Sequence, residues 1–397
     1  MVGFGSVAAQ NNRFTERSFV PSPRVRAMGD AGVALPGPDR PFFYNPAHLP
    51  YISSYFTVGG VSASASRNMR EQIRFFNERI QPAVKSDFKG DSETLEELYR
   101  ETFRLARHPV RGSAAVVFPS FVYSEGGIGV GGGLFAKTAL NYRVSGSQLG
   151  VPELYLLSRT DIMAVLSLGM DLGMIGLPGL SVGGVLSRGR RFLAFENKPL
   201  DTFTPNETAV SLVGNAVQVD VGGLYTPPWW GLPGRLRIGG AVYDVLDQQY
   251  DYVVGDAPRV PFLKGVFGGA TPDSADGTQE IDRTRQRFRL HSSYRIGVAY
   301  QLASVLGLED VGLALDYQGY GSARRHPLTQ VHAGLRAAVS DGVILRGGVS
   351  SGYPTGGIGI HLWGVRIDYA VHAFEEGRAP GERGTYVHTL RVLLRIQ

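Results

Sequence analysis

Cysteine is absent from the 397 residues, which excludes disulfides, thiolate metal sites and haem or iron–sulfur ligation through sulfur, while leaving the compartment open. Lysine is scarce: it occupies only positions 85, 89, 137, 198 and 264 among 40 basic residues set against 35 acidic ones. The resulting arginine excess suits phosphate or carboxylate recognition, but the codon usage of a GC-rich genome is the simpler account of it. A long apolar run is missing too. The most apolar region, DIMAVLSLGMDLGMIGLPGLSVGGVL at 161–186, is broken by Asp171 and Pro178, short of the ~18 uninterrupted residues of a spanning helix. An Asp at a helix centre would cost about 2.5–3.5 kcal/mol on insertion scales, so spanning helices are not expected. No basic n-region follows Met1, but GSVAAQ (5–10) looks like the small-residue end of a signal peptide. Residues 1–10 are therefore read as its remnant, implying export.

What the chain has in quantity is glycine, 53 residues, and tyrosine, 18. That pairing points to many strands and turns. Period-two alternation dominates. In RFRLHSSYRIGVAY (287–300), Phe288, Leu290, Tyr294, Ile296, Val298 and Tyr300 oppose Arg287, Arg289, His291, Arg295, Gly297 and Ala299. In GVRIDYAVHAF (364–374), Val365, Ile367, Tyr369 and Val371 oppose Arg366, Asp368 and His372. RLRIGGAV and VGLALDYQGY repeat the pattern. A soluble sandwich would alternate as well, so length decides. Many segments reach the ~9–11 residues with which a tilted strand crosses a bilayer.

About fourteen such segments start near residues 52, 112, 127, 158, 179, 208, 235, 285, 310, 326, 342, 355, 364 and 384. Short turns (SEGG, MIGLPG, PPWWGLPG, VSDG, HLWG) alternate with longer links (67–110, 145–157, 195–207, 250–284, 375–383). The expected fold is an all-β, antiparallel transmembrane barrel of about 14 strands in the outer membrane of a diderm bacterium. An Arg on the lipid face near mid-membrane costs roughly 2–4 kcal/mol. Arg295, Arg336, Arg346, Arg366 and Arg391 are therefore expected to face a polar, charged lumen, with Asp368. Trp229, Trp230 and Trp363 fall in short turns, as a periplasmic aromatic girdle would. The link 67–110 changes character. MREQIRFFNERI sets Ile73, Phe76 and Ile80 on one helical face, and DSETLEELYRETFRLAR, opened by Asp91 or Ser92, lines up Leu95, Leu98, Tyr99, Thr102 and Ala106. Two amphipathic helices are expected on the first external loop, packed on the barrel mouth or offering a surface to a partner protein or a hydrophobic ligand.

Catalytic and nucleotide-binding signals are weak. GVSSG (348–352) matches G-x-S-x-G between two strands, without the helix that a nucleophile elbow needs. Gly127, Gly129 and Gly132 match G-x-G-x-x-G without a following helix and are read as close-packed strand residues. The eight His are scattered, and His291, His332 and His372 are expected in the lumen as solvated residues. No enzyme, cofactor or metal is implied. SRGRR (187–191) and RTRQRFR (283–289) lie near external strand ends, where Arg binds lipopolysaccharide phosphates bidentately or forms a solvated rim. Basic residues spread over many strands do not form a nucleic-acid patch.

The run SPRVRAMGDAGVALPGPDRPFFYNPAHL, with Arg26, Ala27, Met28, Gly29, Gly32 and Asn45-Pro46-Ala47, resembles the N-terminal signature of FadL-type outer-membrane proteins. The C-terminal GGVSSGYPTGGIGIHLWGVRIDYAVHAF, with Gly356-Gly357-Ile358-Gly359 and Asp368-Tyr369-Ala370, is similar to their PorV-like branch. This resemblance implies a fourteen-stranded barrel (51–397) whose N-terminal segment (11–50) folds inside as a plug. Phe42, Phe43 and Tyr44 would then pack on the inner wall, and Asn45 and Pro46 would turn the chain into the first strand. Two functions stay open: passive transport of hydrophobic or amphipathic small molecules past the plug, and a PorV-like accessory barrel that binds a partner in secretion or surface attachment through the 67–110 loop.

Overall fold

The alternating runs form strands that pair antiparallel with their sequence neighbours: β1 (Tyr55–Ser66), β2 (Val110–Glu125), β3 (Ile128–Gly146), β4 (Pro152–Asp171), β5 (Leu180–Pro199), β6 (Val210–Tyr225), β7 (Arg235–Tyr243), β8 (Asp251–Val254), β9 (Ser293–Val305), β10 (Leu308–Tyr320), β11 (Val331–Ser340), β12 (Val343–Ser350), β13 (Tyr353–Leu362), β14 (Val365–Glu375) and β15 (Gly384–Ile396). This is a computed structural model, and it describes residues 22–37, 41–80, 82–83, 92–106, 109–146, 152–199, 210–228, 231, 233–254, 292–320, 326–375, 379–382 and 384–396. β7 and β8 pair with separate stretches of β6 and share one place in the sheet. β1 closes on β15, from Phe56 opposite Ile396 to Ser66 opposite Val387. The result is a closed ring of 14 staves.

Three tight turns share one end, and a fourth of the same kind, Ser351-Gly352, joins β12 to β13 at the other. Gly126-Gly127, Leu306-Gly307 and Trp363-Gly364 all have positive φ at both positions, the geometry that matches a two-residue hairpin to strand twist. Trp363 is fully exposed there, while Trp229 and Trp230 lie outside the described residues, as do residues 1–21, where a signal-peptide remnant is expected at 1–10. Ser66, Val110, Val254 and Ser293, the strand ends that bound the two longest links in the sequence, lie at the other end, which is therefore the external one.

One face of every stave is apolar and exposed. Val61, Leu134, Leu166, Ile296, Leu335 and Leu390, from six different strands, are 47–58% exposed. In water such a belt would aggregate; facing lipid it is what holds a barrel in the bilayer. The opposite face turns inward, and Arg295, Arg346, Asp368 and Arg391 are buried on it. Arg336 and Arg366 share that face and are half-buried.

The first external link holds two helices, α2 (Met69–Phe75) and α3 (Ser92–Ala106). Of the expected seam, Ile80 and Leu98 form the core, Phe76 and Tyr99 pack against it and Thr102 is buried, but Phe75 and Leu105 join it and Ile73 is half exposed. The cause is a single π turn over Phe76–Ile80, which adds a residue to the turn and shifts the phase that a 3.6-residue count assumes. The side chains of Leu95 and Ala106 lie outside the described set. Gln72 donates from Nε2 to the carbonyl of Leu105 at 2.6 Å, tying the helices together.

Candidate functional site: the occupied lumen

Residues 22–52, with 38–40 outside the described set, contain one short helix, α1 (Pro23–Ala27), and a 3-10 turn at Pro46–Tyr51. Such a segment cannot bury three aromatics against itself, yet Phe42, Phe43 and Tyr44 are 4%, 8% and 3% exposed. It touches β2 to β7 on one side and β9 to β15 on the other. Only a segment lying within the ring reaches staves all around it.

Ionic contacts anchor its first half. The Nε of Arg24 donates to both oxygens of Asp368 at 2.9 and 2.8 Å, and its Nη2 meets Nε2 of His361 at 2.9 Å. Asp368 also receives Arg346 at 3.4 Å and Arg391 at 3.1 Å. One buried carboxylate thus gathers three guanidiniums, one from the internal segment and two from the wall. A second node lies across the lumen. Arg295 donates to the backbone oxygen of Asp30 and pairs with its carboxylate at 3.3 Å. Asp316 accepts the backbone N–H groups of Gly32 at 2.7 Å and Val33 at 2.9 Å. Burial works to raise the Asp30 carboxyl, but Arg26 and Arg295 beside it hold it well below the usual carboxylate range. Burial and the Asp30 charge push the Tyr44 hydroxyl well above its ordinary value.

Neutral hydrogen bonds continue the docking. Nδ1 of His332 donates to the Gly29 carbonyl at 2.9 Å. Oγ1 of Thr355 accepts from Gly29 N–H and donates to the Ala27 carbonyl, each at 2.9 Å. Tyr243 donates its hydroxyl to the Tyr44 carbonyl at 2.7 Å. Asn45 donates through Nδ2 to the carbonyls of Val33 at 2.9 Å and Gly223 at 3.0 Å, while its Oδ1 accepts Ala47 N–H at 3.0 Å. This last contact caps the turn that opens at Pro46 and leads to β1.

Two features of the wall receive the second half. Phe42 and Phe43 pack on Phe135 with ring centroids at 5.7 and 5.0 Å, backed by Val122, Met163, Val165 and Val185. Below them runs a row of glycines in register across four staves, Gly129–Gly169–Gly183–Gly222. A Cβ at Gly222 would stand 2.2 Å from Oδ1 of Asn45; at Gly183 and Gly129 it would stand 2.6 Å from the backbone of Pro46 and Leu49. The backbone of residues 45–49 therefore lies directly on the wall, a distance that only glycine leaves open. Gly129 of the G-x-G-x-x-G match belongs to this row.

The inward residues of β4 give the vertical order. From the tight-turn end they run Gly169, Ser167, Val165 and Met163 against the segment, then Asp161 and Arg159, then Leu157 and Tyr155. Asp161 pairs with Arg191 at 2.6 Å and Arg159 at 3.2 Å. Arg191, fully buried, lies 4.2 Å from the ring centroid of Tyr250. Beyond it Tyr155, Leu157, Leu193, Leu212, Ala216, Tyr250 and Tyr252 form an apolar cluster. The lumen is thus not uniformly charged, in contrast to the sequence expectation: its external half is lined by Leu and Tyr on β4, β5, β6 and β8. The alternating Tyr250 and Tyr252 of QYDYVV were the available signal. His332 and His372 are buried rather than solvated, and His291 lies outside the described residues.

No family model and no curated protein matches the chain. Solved structures do. The chain is similar to a doubly deleted mutant of the TodX monoaromatic hydrocarbon channel (TM-score 0.51, 11% identity, 94% of this chain and 98% of that chain). A second TodX deletion mutant gives a TM-score of 0.50 at 13% identity, covering 94% of this chain and 97% of that one. A structure of the Pseudomonas putida toluene transporter TodX matches at 0.47 and 11% identity, over 94% and 97% of the two chains. At these identities the likeness concerns fold. With the closed ring and its apolar belt, it makes this chain an outer-membrane β-barrel of a diderm bacterium.

Proposed function

We propose that this barrel is a passive channel for hydrophobic or amphipathic small molecules, with residues 22–52 as its plug. One observation carries the reading: the order of inward residues along β4, with an apolar Leu/Tyr lining above a buried Arg–Asp layer and an aromatic stopper beneath. A molecule arriving from outside meets Tyr155, Leu157, Tyr250 and Tyr252 first, where its apolar part leaves water. It then meets Arg159 and Arg191, and finally the Phe42–Phe43–Phe135 contact. In the docked state the segment blocks free diffusion of solutes. Passage to the periplasm requires the 41–49 stretch to lift from the wall, which breaks only hydrogen bonds and backbone contact at the glycine row but also parts Phe42 and Phe43 from Phe135. Arg295 through Asp30, and Asp368 through Arg24 with Arg346 beside it, hold the α1 half while the aromatic half moves; Arg336, paired with Asp310, and Arg366 line the wall around them. The similarity in fold to hydrocarbon channels supports the substrate class. The test is uptake of labelled fatty acids and monoaromatic compounds by proteoliposomes; rates equal to those of empty liposomes refute transport.

A second reading rests on the α2–α3 hairpin, which has a core of its own and leans on β3 and β4. In this reading the barrel is a PorV-like accessory that binds a partner protein by that hairpin, and the plug is permanent. Deleting 68–108 would then abolish partner capture while the barrel stays folded.

A further inference from the structure

The arginines of SRGRR do not share one side of the wall. Arg191 points inward to Asp161, whereas Arg188 and Arg190 are exposed on the outward face of β5. They follow Leu186, itself 50% exposed, on the lipid side. Their cross-strand neighbours are Ala164 and Val217 for Arg188, and Ile162 and Asn215 for Arg190. Among the described residues neither has an acidic partner. The Arg190 guanidinium lies 5.3 Å from the ring centroid of Phe192, the next outward residue.

Height fixes what meets them. At ~3.3 Å per residue and a tilt of about 40°, Arg188 stands about 20 Å and Arg190 about 25 Å above the start of β5 at Leu180. An outer-membrane barrel carries an apolar band about 25 Å tall. The two side chains therefore reach the headgroup level of the external leaflet, where long cationic side chains extend toward the interface. The anion available at that level is phosphate. Two guanidiniums about 6.6 Å apart along one strand flank a single phosphate and present it with paired N–H donors.

We propose that Arg188 and Arg190, with Asn215 beside them, form a binding site for the phosphate of a lipid A-type glycolipid in the outer leaflet. A phosphomonoester with no ammonium group of its own fits two cations whose direct cross-strand neighbours are uncharged, the acidic Asp251 standing one strand further off, across Asn215; a zwitterionic phospholipid would bring a third positive charge to them. Phe192 holds Arg190 by cation–π contact and limits the conformations it loses on binding.

The experiment uses the full chain in nanodiscs containing trace lipid A with or without its phosphates, read by native mass spectrometry. Wild type is expected to retain one phosphorylated lipid A, and R188Q/R190Q about tenfold less. The R190K variant, which keeps the charge and loses the paired donors, is expected to fall between. Heat-modifiable migration on gels reports that each variant is folded. Equal retention by the double variant, equal retention of dephosphorylated lipid A, or a glycerophospholipid adduct in place of lipid A would each overturn the proposal.

Discussion

Substituting Gly222 by Ala tests the docking of the internal segment at its tightest point. The new Cβ would stand 2.2 Å from Oδ1 of Asn45 and 2.9 Å from Cδ of Pro46, so residues 45–46 must move off the wall. Forced overpacking costs about 1–3 kcal/mol. The displaced Asn45 also loses its Nδ2 bonds to Val33 and Gly223, at about 1 kcal/mol each. The sum, roughly 3–5 kcal/mol, raises the undocked fraction about a hundredfold to a few thousandfold. Single-channel conductance in planar bilayers and protease nicking at 41–52 read that fraction directly. Asn45→Ala removes the clashing oxygen and already forfeits the same hydrogen bonds, so the double variant should cost little more than Asn45→Ala alone, a coupling of about 3–5 kcal/mol, close to the whole cost of Gly222→Ala. Gly347→Ala, with open space around its Cβ, is the control. An additive double variant, or a Gly222→Ala barrel as silent as the control, refutes the account of the glycine row.

Other substitutions separate the remaining contacts. Removing Asp368 as Ala takes the shared carboxylate from three buried guanidiniums and should cost about 3–5 kcal/mol in chemical denaturation, more than Arg24→Ala, which leaves the carboxylate with Arg346 and Arg391. The Asp30 carboxyl is depressed below its ordinary value of 3.8, so its contribution to docking is complete at neutral pH and is lost as pH falls through its lower folded value. Asp30→Asn should therefore weaken protease protection at pH 7 and flatten its acid-induced loss below about pH 4. Phe43→Ala empties a buried aromatic site, a loss of about 3–5 kcal/mol where the cavity does not collapse, and should speed uptake of apolar solutes; unchanged uptake would place the stopper elsewhere.

Strands were legible because a residue's side of the wall is set by period-two alternation, and an Arg on the lipid side near mid-membrane is too costly to mistake. Starts expected near 364 and 384 fall at Val365 and Gly384. β4 begins at Pro152, ahead of the expected 158, because Leu154, Leu156 and Leu157 are all buried and do not alternate. The inward direction of Arg295 and Asp368 could be read locally; their partners could not, since Arg24 and Asp368 are 344 positions apart. The glycine row was hidden for a related reason. Each Gly sits in its own strand, and only the register of four strands brings them level. The helical hairpin misled through one π turn, which no composition signal announces.

The way the internal segment is tethered has a mechanical consequence. Arg24 on β14, Gly32 and Val33 on β10, Tyr44 on β7, Asn45 on β6 and Ala47 on β5 are attachments at separate points of the circumference. Arranged so, the segment acts as a hub and its contacts as spokes. A thin cylinder without spokes flattens easily into an ellipse; one braced at several bearings keeps its cross-section. Letting go of the spokes near β5 to β7 while those near β10 and β14 hold would soften the wall on that side alone, so movement of the hub and deformation of the rim are one event.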